Sequence, residues 1–416
     1  MRFPVPTYAC ASFAVITVNA AVALALWGKL HLNALDASVG ATTNLLAVVI
    51  ARNEHFVNLL FTVFVNRAKK LPLGIRRRFA NIYCCYGGIH SGCAIAALVW
   101  YLVFTIEITL PNMKSGIIID PLVLMSWLSM SLLILIVFFA LPCVRSLHHN
   151  WFECVHRYSA WTLLIILVAQ LVLTSIKENP SHALADPRIW EAGLLILLVI
   201  YPWLHLRKRN VKSFRLSSHA LLLNFDYSDV SFGQAVRISD SPLRETHAFA
   251  VIPNIRSTVQ NMSDEEAKLW HVDKKGFSVI ISRAGDWTSR MIDHPPTRLW
   301  TRGVPQYGVL RVVSLFQPCI VMATGSGIGP CLSIFVQQPG HSTVIDTLLR
   351  VDPLAIIHDT KASGRPDLVE IATDLWESDN FEAVVFISNK ETGAAVKTAI
   401  HQHRWIVGYA DMSLHE

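Results

Sequence analysis

The sequence predicts a membrane all-α six-helix bundle, followed by an antiparallel β-barrel and then an α/β domain. Three observations predict it. Long apolar runs dominate residues 8–205. Short alternating stretches separated by turn residues fill 216–314. From 318 onward, strand-like and helix-like patterns alternate. The expected boundaries are 1–210, 211–314 and 315–416.

Composition supports the division. Of 416 residues, 52% are hydrophobic and only 16% charged, above the usual apolar share of a soluble domain. The net charge of +6 is modest. Two basic clusters carry much of it, "NRAKKLPLGIRRRF" (66–79) and "RKRNVKSFR" (207–215). Basic clusters beside apolar spans follow the positive-inside rule, so a nucleic-acid partner is not expected. The 8 cysteines form no CxxC, and neither a disulfide framework nor a zinc site is read from them. The first apolar run (8–28) lacks a convincing small-residue cleavage site, so it reads as a retained span.

A bilayer core needs about 20 apolar residues per helix. The expected spans are 8–28, 42–65, 80–106, 121–143, 153–175 and 189–205. The loop after the second span holds Arg67, Lys69, Lys70, Arg76, Arg77 and Arg78, which puts it in the cytosol. Six spans return the chain to that side at "RKRNVKSFR". Both termini and the soluble half are then cytosolic, in a multi-pass integral membrane protein with lipid around its first half.

Polar residues inside spans are costly and functional by default. "ARNEHF" places Arg52, Asn53, Glu54 and His55 inside the second span. His90 and His156 fall in the cytosolic halves of the third and fifth spans. Two such histidines can ligate one haem b iron axially. Equally, they can be buried histidines bonded to backbone or to each other.

The barrel strands are expected at "SSHALLLNF", "QAVRIS", "HAFAVIP", "GFSVIIS", "TRLWTRG" and "GVLRVVSLF". Beyond them, "CIVMATG", "DPLAIIHDT", "EAVVFISN" and "WIVGYAD" read as buried parallel strands. Between these strands, "GSGIGPCLSIF", "PDLVEIATDLWES" and "ETGAAVKTAIHQHR" read as helices. The turn "VMATGSGIGP" leaves a strand and enters a helix, where glycines let backbone approach a pyrophosphate. Gly325, Gly327, Gly329 and Pro330 would shape that turn, with Thr324 on a phosphate. Asp359, Lys361 and Arg365 would line the adenosine ribose of NADPH or NADH, or be solvated loop charges.

This order of parts resembles the ferric reductase and NADPH oxidase superfamily. "GQAVRISDSPLRETHAFAVIP", "AGDWTSR", "RGVPQYG" and "GSGIGP" carry the likeness. With "YGGIHSG", "FECVHRYSAW", "HDTKASGRPDLV" and "VVFISNK", the chain also looks like TmpA-like fungal integral membrane proteins. The architecture further resembles the C-terminal region of some fungal adenylate-forming multidomain enzymes. The superfamily resemblance implies a flavin domain in the barrel, with FAD held by Arg237, Ser239, His247, Phe249, Gly285 and Thr288. It implies electrons passing from NAD(P)H through FAD to a haem or small-molecule acceptor, with developmental regulation as the alternative.

The departures are specific. The family's outer haem ligands are missing: thirteen or fourteen residues beyond His90 and His156 stand Val103, Phe104, Ala169 and Gln170. Ala250 stands where the family has a flavin-bonding Thr, and Ser388-Asn389 where it has Cys-Gly.

Overall fold

The computed structural model describes residues 7–30, 32–115, 120–178, 185–253, 275–335, 356–358, 363–378, 381–388, 396 and 406–411. The chain divides into two compact units, one of Met1–Phe56 with Cys85–Tyr201 and one of Val57–Cys84 with Pro202–Glu416. Residues 57–84 thus group with the second half of the chain, unlike the expected division at 210.

Nine helices are described in the first half: α1 (Thr7–Leu30), α2 (Ala34–Ile50), α3 (Glu54–Ala68), α4 (Leu73–Cys84), α5 (Gly87–Lys114), α6 (Pro121–Ala140), α7 (Pro142–Leu147), α8 (His149–Glu178) and α9 (Pro187–Leu204). Polar residues start several of them. Asn33 accepts from the Asp36 amide, and Asp120 accepts from the Leu122 amide with Pro121 opening the helix.

In the first unit, Trp100, Tyr101 and Phe104 of α5 pack against Ala37 and Ala41 of α2, Met130 and Leu133 of α6, and Leu163 of α8. The small alanines let the large rings approach. The outward faces stay apolar, with Leu24, Trp27, Ile165 and Leu197 all exposed.

By length and composition, five helices can cross a membrane, or up to six if the bent pair α2–α3 is one span. That pair bends by 68° at Ala51–Asn53, within the expected single span 42–65. The cause is local. The Asn53 carboxamide accepts from the amides of His55 (3.0 Å) and Phe56 (3.2 Å), so it starts a new helix inside the apolar run.

The second unit holds a seven-stranded antiparallel sheet, ordered β1-β7-β4-β5-β6-β3-β2. Its strands are β1 (Arg207–Asn210), β2 (Lys212–Arg215), β3 (Ala220–Phe225), β4 (Gln234–Ser239), β5 (His247–Pro253), β6 (Phe277–Ser282) and β7 (Arg298–Tyr307). The two edge strands, β1 and β2, are separated only by Val211. The sheet must therefore curl until its edges meet. Its interior is filled by Leu221, Leu223, Phe225, Val236, Ile238, Val251, Phe277, Val279 and Ile281.

The basic run 207–215 is thus strand as well as charge. "GVLRVVSLF" is a 3-10 helix over Val309–Leu315 instead of the expected strand. Leu310 and Val313, one 3-10 turn apart, enter a shared core with Phe232, Cys331, Val385 and Ile387.

A three-stranded parallel sheet follows, ordered β10-β9-β8, from β8 (Cys319–Ala323), β9 (Ala383–Ser388) and β10 (Ile406–Asp411). Helix α10 (Asp286–Asp293) packs on the curled sheet, α11 (Ile328–Phe335) follows β8 and packs on β5 and β6 as well, and α12 (Leu368–Ser378) packs on the parallel sheet. The expected strand "DPLAIIHDT" and helix "ETGAAVKTAIHQHR" lie largely outside the described residues.

Residues 57–84 are tied to both sheets. Asn58 of α3 donates to the Pro305 carbonyl and accepts from the Tyr307 amide, each at 2.8 Å. Arg76 of α4 makes two 2.7 Å bonds to the Glu382 carboxylate and also reaches the Leu315 carbonyl. Arg77 donates to the Glu382 carbonyl at 2.7 Å, and the Gln317 amide donates to the same carboxylate at 2.8 Å. The bonds from Arg76 hold the Glu382 carboxyl below its ordinary value of 4.5.

Glu382→Ala therefore costs about 2 kcal/mol, because it strips a charge-assisted fork and leaves Arg76 half-buried without its partner. The pH dependence has a definite sign. A lowered carboxyl contributes stability that is complete above pH 4.5 and is lost as pH falls through the depressed folded value. Thermal unfolding in detergent at pH 7 and pH 3.5 checks both: the wild-type advantage over Glu382→Ala shrinks at the lower pH.

Candidate functional site

The site is built where β8 and β9 end. Parallel strands leave a crevice beyond their carboxyl ends, and the chain turns there from β8 into α11. Thr324 follows β8 directly. Its amide donates to the Ile387 carbonyl at 3.0 Å, and its hydroxyl bonds the hydroxyl of Ser388 at the end of β9. Ser388 is buried. This hydroxyl pair joins the two strand ends.

The glycines are required by geometry. Gly325 has φ +54°, the left-handed region. At Gly327, a Cβ would stand 2.7 Å from the Ile387 carbonyl oxygen. Only glycine lets this turn lie against the end of β9. Gly325–Gly327 form a single 3-10 turn, closed by the Gly327 amide on the Thr324 carbonyl (3.0 Å), before α11 begins at Ile328. Pro330 falls in the first turn of α11, where its missing N–H is no loss. Gly329 is buried, and a Cβ there would meet Ile280 of the curled sheet at 3.8 Å.

The arrangement offers an anion-sized turn at a helix N-terminus. It offers no thiol nucleophile. Burial pushes Cys331 and Cys319 up to about 12, so neither is a thiolate at neutral pH.

The structure brings Thr324, Gly325, Gly327, Gly329 and Pro330 together. Arg365 is exposed, while Asp359 and Lys361 lie outside the described residues. Ser388 completes the turn. The clamp residues Arg76 and Glu382 are not marked in the sequence, where nothing connects positions more than three hundred residues apart.

The residues expected to hold FAD are engaged within the chain. His247 and Phe249 stack on Trp287, with ring centroids at 4.4 and 5.9 Å. Arg237 donates to Gln306 at 2.9 Å, and Ser239 donates to the Ser241 carbonyl at 2.7 Å. Thr288 accepts from the Ala284 and Gly285 amides, both at 2.9 Å, which caps α10.

In the helical unit, His90 bonds the Val48 carbonyl at 3.0 Å, and its ring centroid lies 6.5 Å from that of His156. Among the described residues, no three His, Cys, Asp or Glu side chains converge on a metal-sized point.

Comparison with known proteins gives a direction. A family model described as adenylate-forming reductase 03009, C-terminal domain, matches residues 340–409. This chain is similar to adenylate-forming reductases. Adenylate-forming reductase 03009 of Coprinopsis cinerea is 35% identical over 397 residues, 90% of this chain and 37% of the relative. Adenylate-forming reductase 06235 of the same fungus is 35% identical over 369 residues, 83% of this chain and 34% of the relative. The chain spans about a third of the length of these curated relatives.

These relatives correct the reading taken from the ferric reductase, NADPH oxidase and TmpA-like resemblance. Electron transfer from NAD(P)H through FAD to haem is withdrawn, and with it the FAD and haem b cofactors. That resemblance rested on the order of parts and on short motifs such as "GQAVRIS", "AGDWTSR", "RGVPQYG" and "GSGIGP".

The turn yields a direct test. Gly325→Ala meets open space, so its cost is the backbone strain alone, about 1–2 kcal/mol. Gly327→Ala must instead displace the Ile387 backbone of β9 and costs more. Melting temperatures of the two variants should fall in that order.

Proposed function

We propose that this chain is the hydride-transferring part of a membrane-embedded oxidoreductase. A nicotinamide dinucleotide would bind at the Gly-rich turn, and the substrate would be an activated carboxyl group. The turn at the ends of β8 and β9 carries the reading, because Gly325 and Gly327 let the backbone pass tightly from β8 into the N-terminus of α11. The relatives' name, adenylate-forming reductase, supports both the reaction type and the activated acyl substrate. We assign to this chain only the reduction. Adenylate formation is named for proteins far longer than it.

Gly325, Gly327 and the amides opening α11 would hold the pyrophosphate by backbone N–H groups at the helix's positive end. Thr324 and Ser388, already bonded to each other, would fix the depth of the crevice. When bound, the dinucleotide supplies hydride, which reduces the acyl carbon while the leaving group departs with a proton.

The membrane reading rests on the five or six long apolar helices and on charge. The basic loop 66–79 and the sheets belong to one unit, tied by Arg76 and Glu382. They therefore share one side of the bilayer, the cytosolic one by the positive-inside rule.

Fluorescence titration of the purified full-length chain with NADPH and with NADH tests the site. We expect saturable binding of at least one. Gly327→Val should weaken it at least about tenfold, equivalent to about 1.4 kcal/mol. If neither nucleotide binds a folded, monodisperse preparation, the proposal fails.

A further inference from the structure

The helical unit contains a cavity of about 40 Å³ where α2, α5, α8 and α9 meet. A single water needs roughly 10–15 Å³. The cavity therefore takes a head group or a few waters, not a whole large molecule. Its walls are mostly apolar, including Leu167, Leu171 and Leu195.

Six polar residues also line it, Ser38, Thr42, Tyr101, Gln170, Thr174 and Glu191, of which Glu191 is the acidic one. The Tyr101 hydroxyl donates to Gln170 Oε1 at 2.7 Å, and Gln170 Nε2 donates to Ser126 at 2.6 Å. Glu191 accepts from Thr42 at 2.6 Å and from Thr43 at 2.9 Å, one bond to each carboxylate oxygen. A carboxylate has about four acceptor positions, so roughly half remain. Among the described residues no Lys, Arg or His makes an ion pair with Glu191. What Glu191 offers the cavity is thus an acceptor. The Tyr101 proton and the Gln170–Ser126 bond are already committed elsewhere. An acidic group retained in an apolar bundle is costly without a partner.

We propose that this cavity receives the hydrogen-bond-donating head of a membrane-soluble lipophile, a long-chain alcohol or amine. The head meets Glu191, and the tail lies among the leucines of α8 and α9. The inference is independent of the nucleotide site.

The test uses the full chain in lipid nanodiscs and three photoreactive sixteen-carbon probes: an alcohol, an amine and a carboxylic acid. The expected result is crosslinking of the alcohol or the amine to cavity residues of α8 or α9. The acid, which sets a second carboxyl group against Glu191, is the control expected to label least. If the natural head is an amine, Glu191→Gln lowers amine labelling about tenfold, the loss of one charge-assisted hydrogen bond. If it is an alcohol, Glu191→Leu lowers alcohol labelling while Glu191→Gln retains it. Leu171→Trp fills the cavity and removes labelling by both. Should Leu171→Trp fail to fold, the Glu191 variants decide alone. Equal labelling by all three probes, unchanged in the Glu191 variants, would overturn the proposal and leave the Thr–Glu bonds as ties between α2 and α9.

Discussion

The Arg76–Glu382 fork is the interaction on which the second unit depends. One guanidinium meets both oxygens of one carboxylate, each at 2.7 Å, and the Leu315 carbonyl as well. Glu382 immediately precedes β9, and β9 ends at Ser388, which bonds Thr324 in the Gly-rich turn. A short rigid strand therefore connects the fork to the crevice. The same fork brings a helix between two apolar segments into the body that carries both sheets. Asn58 repeats this at a second point, bonded both ways to the end of β7. Charge-assisted, bidentate bonds fix orientation as well as distance, which single contacts between flexible side chains do not.

The corrected reading of the curled sheet has a physical basis. Trp287 is buried beneath His247 and Phe249, and Thr288 is used in capping α10. A motif read as ligand-binding can equally be a packing solution, since rings and capping hydroxyls serve both ends. The Gly-rich turn differs. Its glycines answer to backbone geometry, a left-handed φ at Gly325 and a close carbonyl at Gly327, and this constraint is indifferent to what the turn binds. Which family the chain resembles was decided by identity along its length, not by any one motif.

In the helical unit the polar residues divide by role. Asn53 ends one helix and starts another, so the polar run in the second apolar segment marks a bend. His90 bonds backbone, and Gln170 links Tyr101 to Ser126. Each of these makes hydrogen bonds inside an apolar bundle. Glu191 has acceptor capacity to spare.

Much of this was legible in the sequence. Apolar runs marked where the long helices lie, alternation marked β3 to β7, and the spacing of Gly325, Gly327 and Gly329 marked the turn, because these patterns are local and each residue reports its own neighbourhood. The sequence did not show the bend at Asn53, where a local cap outweighs apolar continuity over one span. Nor did it show that "RKRNVKSFR" forms both edges of a curled sheet, that "VLRVVSL" winds into a 3-10 helix, or that Arg76 meets Glu382. Those outcomes rest on contacts between residues distant along the chain. Closure of the sheet around one core decides the edges, a shared core with Val385 and Ile387 decides the 3-10 helix, and complementary charge at hydrogen-bonding distance decides the fork.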